Sequence, residues 1–528
     1  VTRPLSTVFR TAIHILTEGH EVDSFDFVVV GGGTAGCVLA ARLSQDPGAS
    51  VLLLEAGAAA PPANAADPRA WMSLWESPAS TGGVPPGQPT AGSTDPIRRG
   101  RVLGGSSAIN TMIFVRGHRS SYDRWPEAGA KGWGFADLLP YFMRTETASG
   151  RDPAVRGTSG PLAVAPASPP GPVFEACLDA AGEAGHRRAD DISGGLEEGF
   201  GLPDLNIVAG RRQSAADAYL APAESRGNLR VVTGASVRRV LVHRSRCVGV
   251  EYGTGDEIVR AGCTGEVVLA AGAIGSPALL QLSGIGPVGV LRPHGIEVVA
   301  DLPGVGENLQ DHPGVALAYA PGQPLPAAGN NGAEVLGLLR SGPDVGYPDL
   351  QIAFSEVPVP APTDGRPQAV FAVLASLMQP FSRGAVRLAG ASPDVAPVVD
   401  PCYLTDPRDL DAIVRGLKIA RDIPRTAPLK PWLARELRPG PEAGDDAALR
   451  AYATAAVSSC FHPVGTCRIG TDDMAVVDPE LRVHGISGLR VADASVMPSI
   501  TSANTNATVY AIAERAAELI RLAHGHGR

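Results

Sequence analysis

The stretch from Asp26 to Glu55, DFVVVGGGTAGCVLAARLSQDPGASVLLLE, leaves the chain few choices of fold. Phe27, Val28, Val29 and Val30 form a β-branched and aromatic run of the kind buried on both faces of a parallel sheet. Gly31, Gly33 and Gly36 follow in G-x-G-x-x-G spacing, and Val38, Leu39, Ala41, Arg42 and Leu43 then recur at helical period. Val51 to Leu54 make a second buried strand that ends at Glu55. Gly31 permits the tight turn, Gly33 lets the backbone approach a pyrophosphate, and Gly36 lets the helix pack closely. The helix N-terminus offers free N–H groups to the phosphates, and Glu55 can accept from ribose hydroxyls. Strand, glycines, helix, strand and acid together predict a dinucleotide site. This stretch alone does not separate FAD from NAD.

At 528 residues the chain exceeds one ordinary core, so two or more domains are expected. The net charge of −9, with scattered basic residues, gives no electrostatic case for nucleic acid and leaves a small-molecule substrate. The seven cysteines contain no C-x-x-C pair, which argues against a zinc site and a disulfide framework. No metal is expected, and a reducing compartment, the cytoplasm, is. The N-terminus is a poor signal peptide, with at most a short amphipathic helix around Ala12–Leu16. No run approaches the roughly 20 apolar residues of an integral membrane segment.

Farther along, Ala58–Pro96 reads either as a functional loop or lid or as a surface excursion, with Trp71 and Trp75 embedded in it. Gly104, Gly105, Ser106 and Ser107 supply backbone donors and hydroxyls for a ligand, although alone they could be a turn. Helices are predicted at Ala136–Glu146, Val173–Ala184, Asp409–Arg421, Asp445–Thr454 and Asn506–Leu522. Asn228 to Tyr252 returns to β logic, and Glu266–Gly275 reads as a buried strand ending in small residues. Asp349–Phe354, Ala369–Leu377 and Ala385–Leu388 read as strands of an antiparallel sheet.

Several blocks in order resemble the glucose–methanol–choline (GMC) oxidoreductases, and the similarity runs from about Asp26 to Ile520. They are VVVGGGTAGCVLAARLS, GRVLGGSSAIN, GAIGSPALLQLSGIGP, PGVGENLQDHP, FHPVGTCRIG, DPELRVHGISGLRVADASVMP and NTNATVYAIAERAAELI. Within the family the chain looks closest to the bacterial branch of choline oxidase, choline dehydrogenase, and hydroxymethylfurfural and aryl-alcohol oxidases. The resemblance implies an α/β, two-domain fold. A Rossmann-type FAD-binding domain would be built from 1–130, 214–312 and 456–528. A substrate domain of antiparallel sheet and helices would be built from 131–213 and 313–455.

It also implies oxidation of an alcohol to an aldehyde by hydride transfer to flavin N5. His462 matches the family's active-site histidine and would act as base. Asn504 matches the second position, where relatives carry histidine or asparagine. An amide can hold the substrate oxygen but cannot act as a base, and helix capping is its bland alternative. By motif, FAD contacts fall to Gly31, Gly33, Gly36, Glu55, Arg99, Gly104, Gly105, Ser107, Asn110, Thr111, Val237, Asp493 and Ala494. Asn506 is the structural or flavin-facing member of its pair. Choline oxidase tethers its flavin through a histidine where this chain has Ile109, so a noncovalent FAD is expected.

Reoxidation would use O2, a quinone or another acceptor. The expected substrate is a neutral primary alcohol, aromatic or aliphatic. A choline-type substrate is the alternative: Glu334 falls near the corresponding region, but its neighbours NNGAEVLG lack the aromatic faces that bind a quaternary ammonium. A hydroxynitrile lyase-like or photochemical family member is a further alternative, and Asn504 counts against the lyase. Cys460 and Cys467 flank His462 and read as small packing residues. The sequence leaves the oligomeric state open.

Overall fold

A computed structural model describes residues 22–81, 96–326, 329–360 and 367–525. The expected N-terminal helix and much of the second half of Ala58–Pro96 lie outside the described residues.

Ser24–Val30 lies between Val51–Glu55 and the C-terminal half of Glu257–Leu269, parallel to both, with Val28 opposite Leu52 on one side and Val267 on the other. Leu229–Thr233 and Leu489–Val491 extend the parallel part outward, and Arg246–Thr254 and Ala235–His243 close the sheet as antiparallel strands. Val28, Val29, Val51 and Leu53 are fully buried, which explains the continuous rather than alternating apolar pattern of these strands. The helices Thr34–Leu43 and Asn506–Ala523 pack against one another over this sheet. Arg42 ties them to the buried Glu514 at 2.8 Å, and the Tyr219 hydroxyl also donates to Glu514.

The second large sheet is antiparallel. Its order is Leu433–Arg438, Pro313–Pro321, Pro367–Leu377, Leu350–Pro360, Val335–Leu339 and Gly199–Gly201. The helices Pro172–Glu183 and Pro407–Asp422 supply Val173, Phe174, Ile413 and Leu417 to its core. The expected α/β class, with a Rossmann-type sheet and a separate antiparallel sheet, is borne out.

Two expectations need correction. Ala385–Arg387 is a strand but pairs only with Val398–Asp400, in a separate ribbon. A short apolar run announces a strand without naming its partner. The strand expected at Glu266–Gly275 ends at Leu269, and its small residues turn into the helix Gly272–Leu282, with φ +79° at Gly272. Absence of bulk at this point serves a sharp turn.

One short pairing at the end of the second sheet brings two histidines together. Ser458–Ser459 adds to the end of Pro313–Pro321, so the residues just before and just after this contact, His312 and His462, reach the same place.

Candidate active site

The dinucleotide loop shows why its glycines are needed. At Gly36 a Cβ would lie 1.8 Å from the Gly31 carbonyl oxygen, and at Gly31, with φ +102°, it would lie 2.7 Å from that of Ala270. At Gly33 the nearest protein atom to a Cβ is the Gly105 Cα, 3.9 Å away. The first two glycines are thus demanded by the protein itself. The third leaves an open cradle at a helix start that has no side-chain cap and no acid in its first turn. Such a helix start offers free N–H groups to an anion such as a pyrophosphate. Glu55 accepts from the Gly32 and Gly57 amides, both at 2.7 Å, and fixes the turn. Burial raises its pKa. Beside it a cavity of about 600 Å³ is lined by Gly57, Ser80, Arg101, Thr233 and Gly234, among others, at the ends of two parallel strands.

The second glycine loop locks onto the first. Gly104 has φ +90° and its N–H donates to the Gly32 carbonyl at 2.8 Å. Ser107 is fully buried. Its hydroxyl donates to the Gly104 carbonyl and accepts from the Ala215 amide, so this side chain braces the loop. Asn110 accepts from the Met112 amide and from Arg212, and the Thr111 carbonyl accepts from Asn331. The Ile109 side chain packs with Ala65, Leu74, Ala79 and Val102, against the segment that follows Glu55.

Asp493 is buried, its oxygens taken by Ser276, Ser495 and the Gly272 amide, and Ala494 adjoins it. Val237 packs into the first core beside a register shift in its strand. Asn506 Oδ1 accepts from the Thr34 hydroxyl at the start of the dinucleotide-loop helix, while its Nδ2 is buried without a protein partner.

Around His462 the groups are arranged by a buried carboxylate. Asp311 accepts from the backbone amides of His312 and His462, both at 2.8 Å, and from the hydroxyls of Tyr403 and Ser459. Burial raises its pKa against the pull of these donors. Phe461, immediately before the histidine, has φ +63°, a left-handed conformation that costs a non-glycine residue about 1 kcal/mol. Arg99 Nη1 donates to its carbonyl at 2.7 Å and holds the turn.

The His462 ring then makes two contacts: Nδ1 lies 2.9 Å from His312 Nδ1, and Nε2 lies 3.2 Å from Asn504 Nδ2. Asn504 Oδ1 is buried with no protein partner. Burial, the adjacent His312 and the Arg99 charge hold His462 well below the ordinary histidine range. It is therefore neutral near pH 7, as a base must be. Asn504 does not cap the last helix, whose N-cap is Thr505 with no side-chain cap bond.

His312 carried no expected role, although the DH pair in PGVGENLQDHP was a signal for one. The aromatic surroundings were also missed, because they come from another part of the chain. Trp75 stands 4.9 Å from Phe461 and 5.0 Å from Trp71, and the Trp71 indole donates to the Asn331 carbonyl in the turn that carries Glu334. Glu334 is fully buried and accepts from Gly171 and Asn330. All seven cysteines are free, and burial pushes the Cys460 thiol up to about 12. Among the described residues no His, Cys, Asp and Glu group could hold a metal, and no helix is long and apolar enough to cross a membrane.

Residues 25–314 and 380–513 match the N- and C-terminal models of GMC oxidoreductase. The chain belongs to the GMC oxidoreductase family. It is an FAD-dependent oxidoreductase. Similar GMC proteins include the oxygen-dependent choline dehydrogenase of Brucella anthropi, 39% identical over 94% of this chain and 95% of that one. Human mitochondrial choline dehydrogenase is also 39% identical, over 94% and 90%. Among solved GMC-like structures, pyridoxine 4-oxidase from Mesorbium loti superposes with TM-score 0.89 at 35% identity, covering 96% of this chain and all of that one. An Aspergillus oryzae formate oxidase variant gives TM-score 0.88 at 27% identity over 96% of this chain. The open cradle at Gly33 and the unpartnered Asn506 amide fit a bound FAD.

Proposed function

We propose that this GMC oxidoreductase oxidises a primary alcohol to the aldehyde, with His462 as base and Asn504 holding the alcohol oxygen. The observation that carries this is the 3.2 Å contact between His462 Nε2 and Asn504 Nδ2. These two atoms are an acceptor and a donor that satisfy one another until a hydroxyl arrives. The hydroxyl accepts from the amide and donates its proton to the imidazole. Bound FAD supplies the two-electron acceptor for the carbon-bound hydrogen. The neutral state of His462 permits proton uptake, and the resulting imidazolium keeps its Nδ1 hydrogen bond.

Gly31, Gly33, Gly36, Glu55, Gly104 and Gly105 would hold the adenosine diphosphate part, with the Val237 backbone reaching adenine. Arg99, Asn110, Thr111, Asp493, Ala494 and Asn506 would frame the flavin. Ser107 would serve through its backbone, because its hydroxyl is already engaged at both ends. FAD would be held noncovalently, since Ile109 offers no nucleophile. The FAD-binding part would comprise 1–130, 214–312 and 456–528, and the substrate part 131–213 and 313–455. Seven free cysteines fit a reducing setting such as the cytoplasm.

A cationic, choline-type alcohol is the second reading, and one observation favours it over the neutral alcohol expected from sequence. Trp71, Trp75 and Phe461 form an aromatic series that ends at the residue before His462, with Arg98 also over the Trp75 ring, and Trp71 anchored at the turn of the buried Glu334 carboxylate. A quaternary ammonium is recognised by such faces and such a charge. The choline dehydrogenase relatives agree with it.

Anaerobic mixing with a panel of neutral alcohols and choline, followed through the yellow flavin absorbance, tests both readings. Bleaching by an alcohol supports oxidation, and the alcohol that bleaches fastest names the class. A panel that never bleaches the flavin contradicts the proposal. Repeating the measurement with O2 and then a quinone identifies the acceptor.

A further inference from the structure

We propose that His312 is a positioning residue that fixes the tautomer of His462, keeping its ring proton on Nδ1 and presenting the Nε2 lone pair toward Asn504. This rests on His462 being the base of the reaction proposed above.

The hydrogen bonds set one another from the buried end outward. His312 is fully buried, and its Nε2 lies 2.9 Å from the Thr501 carbonyl oxygen. A carbonyl only accepts, so His312 Nε2 must carry a proton. A neutral imidazole has one ring proton, which leaves His312 Nδ1 with a lone pair. That lone pair faces His462 Nδ1 at 2.9 Å, so His462 Nδ1 is the donor. His462 Nε2 is then the unprotonated nitrogen, 3.2 Å from the Asn504 amide. The amide must turn its NH2 to this lone pair, which leaves Oδ1 outside the bond, and Oδ1 is the atom found unpartnered.

The opposite arrangement fails at its inner end. A proton on His312 Nδ1 would set an Nε2 lone pair against a carbonyl oxygen at 2.9 Å in a fully buried ring, a repulsive contact in place of a hydrogen bond. A doubly protonated His312 is opposed by burial, which outweighs the pull of the Thr501 and Met378 carbonyls and pushes this histidine down to about 3. The Thr501 carbonyl thus determines, through two imidazoles, which nitrogen of His462 can take a proton.

The mechanistic consequence is specific. When the alcohol proton arrives at Nε2, the Nδ1–H bond to His312 becomes charge-assisted, and His312 stabilises the imidazolium without gaining a proton itself. The two imidazole planes stand 80° apart.

The test is 15N NMR of the holoenzyme labelled at histidine, where protonated and unprotonated ring nitrogens are well separated in shift. The wild type is expected to show His462 with Nδ1 protonated and Nε2 bare. In His312→Leu the His462 signals should move toward averaged tautomers, and alcohol-driven flavin reduction should slow by about tenfold or more. The ceiling is the roughly 10⁴-fold loss seen when a catalytic histidine is left in the wrong tautomer. His312→Asn restores an acceptor at the Nδ1 position and should recover part of both effects.

A wild-type His462 with a bare Nδ1, or a His312→Leu protein with unchanged His462 shifts, would overturn the proposal. The wild-type spectrum needs no variant to fold. Failure of the parent reading is distinguishable: a His462→Ala protein that still reduces flavin at the wild-type rate removes the base and leaves the tautomer result standing.

Discussion

Asn504 Nδ2 sits 3.2 Å from His462 Nε2, while the other end of the same amide, Oδ1, is buried with no protein partner. One side chain thus presents a donor already aligned with the base and a free acceptor next to it. Replacing Asn504 by Ala removes the donor proposed to hold the substrate oxygen. A hydrogen bond to a group that becomes charged contributes about 1.5–3 kcal/mol. Flavin reduction by alcohol should therefore fall by about tenfold to a hundredfold, with FAD content unchanged, as measured by anaerobic stopped flow.

The acid limb of the pH profile follows from His462. Its pKa is held below the ordinary histidine range by burial, His312 and Arg99. A base works only when unprotonated, so activity is present above that pKa and is lost as pH falls through it. The limb in flavin-reduction rate should lie below about pH 6.5, the ordinary value. A limb above it would mean that another group titrates.

His312 makes a separate contribution to stability. Its folded pKa, about 3, is depressed, so the unfolded chain binds the extra proton first. The stabilising contribution is full above the unfolded value of about 6.5 and is lost progressively as pH falls toward about 3. Urea unfolding of holoenzyme across this window should show a shallower pH slope in His312→Leu than in the wild type. Equal slopes would contradict the depressed value.

Gly36→Ala tests the cofactor cradle. The new Cβ would meet the Gly31 carbonyl oxygen at 1.8 Å, which requires the glycine turn to move. Overpacking of this kind costs about 1–3 kcal/mol. The purified variant should carry less FAD and melt at a lower temperature, read from its absorbance ratio and its melting curve. Undiminished FAD content would show that the turn adapts.

The dinucleotide half was legible because its signal is local: the glycines, both strands and the helix of Asp26–Glu55 lie in one short window. That His462 and Asn504 share one place was legible through the blocks around them. The string from Thr501 through His312 to His462 was not. Its members are far apart in the chain, and the tautomers they impose depend on ring geometry that no spacing encodes. Ser107 was read as a cofactor contact from its place after two glycines, while the fold spends its hydroxyl on Gly104 and Ala215. Glu334 lacked aromatic neighbours in sequence because Trp71 reaches its turn from a distant segment.

That last relationship gives a specificity prediction. If the aromatic series and Glu334 recognise a cationic alcohol, Glu334→Gln should lower kcat/KM for choline by about tenfold or more, the cost of losing a buried charge interaction of about 1.5–3 kcal/mol. A neutral primary alcohol should be affected much less. Equal losses for both would make Glu334 a structural residue that serves Gly171 and Asn330.

The most direct measurement is anaerobic flavin reduction in His462→Ala holoenzyme, with the alcohol that best bleaches the wild type. The variant should retain FAD and lose about 10²–10⁴-fold in the reduction rate, the usual contribution of a general base. Bleaching at the wild-type rate would contradict the assignment of His462 as the group that takes the hydroxyl proton.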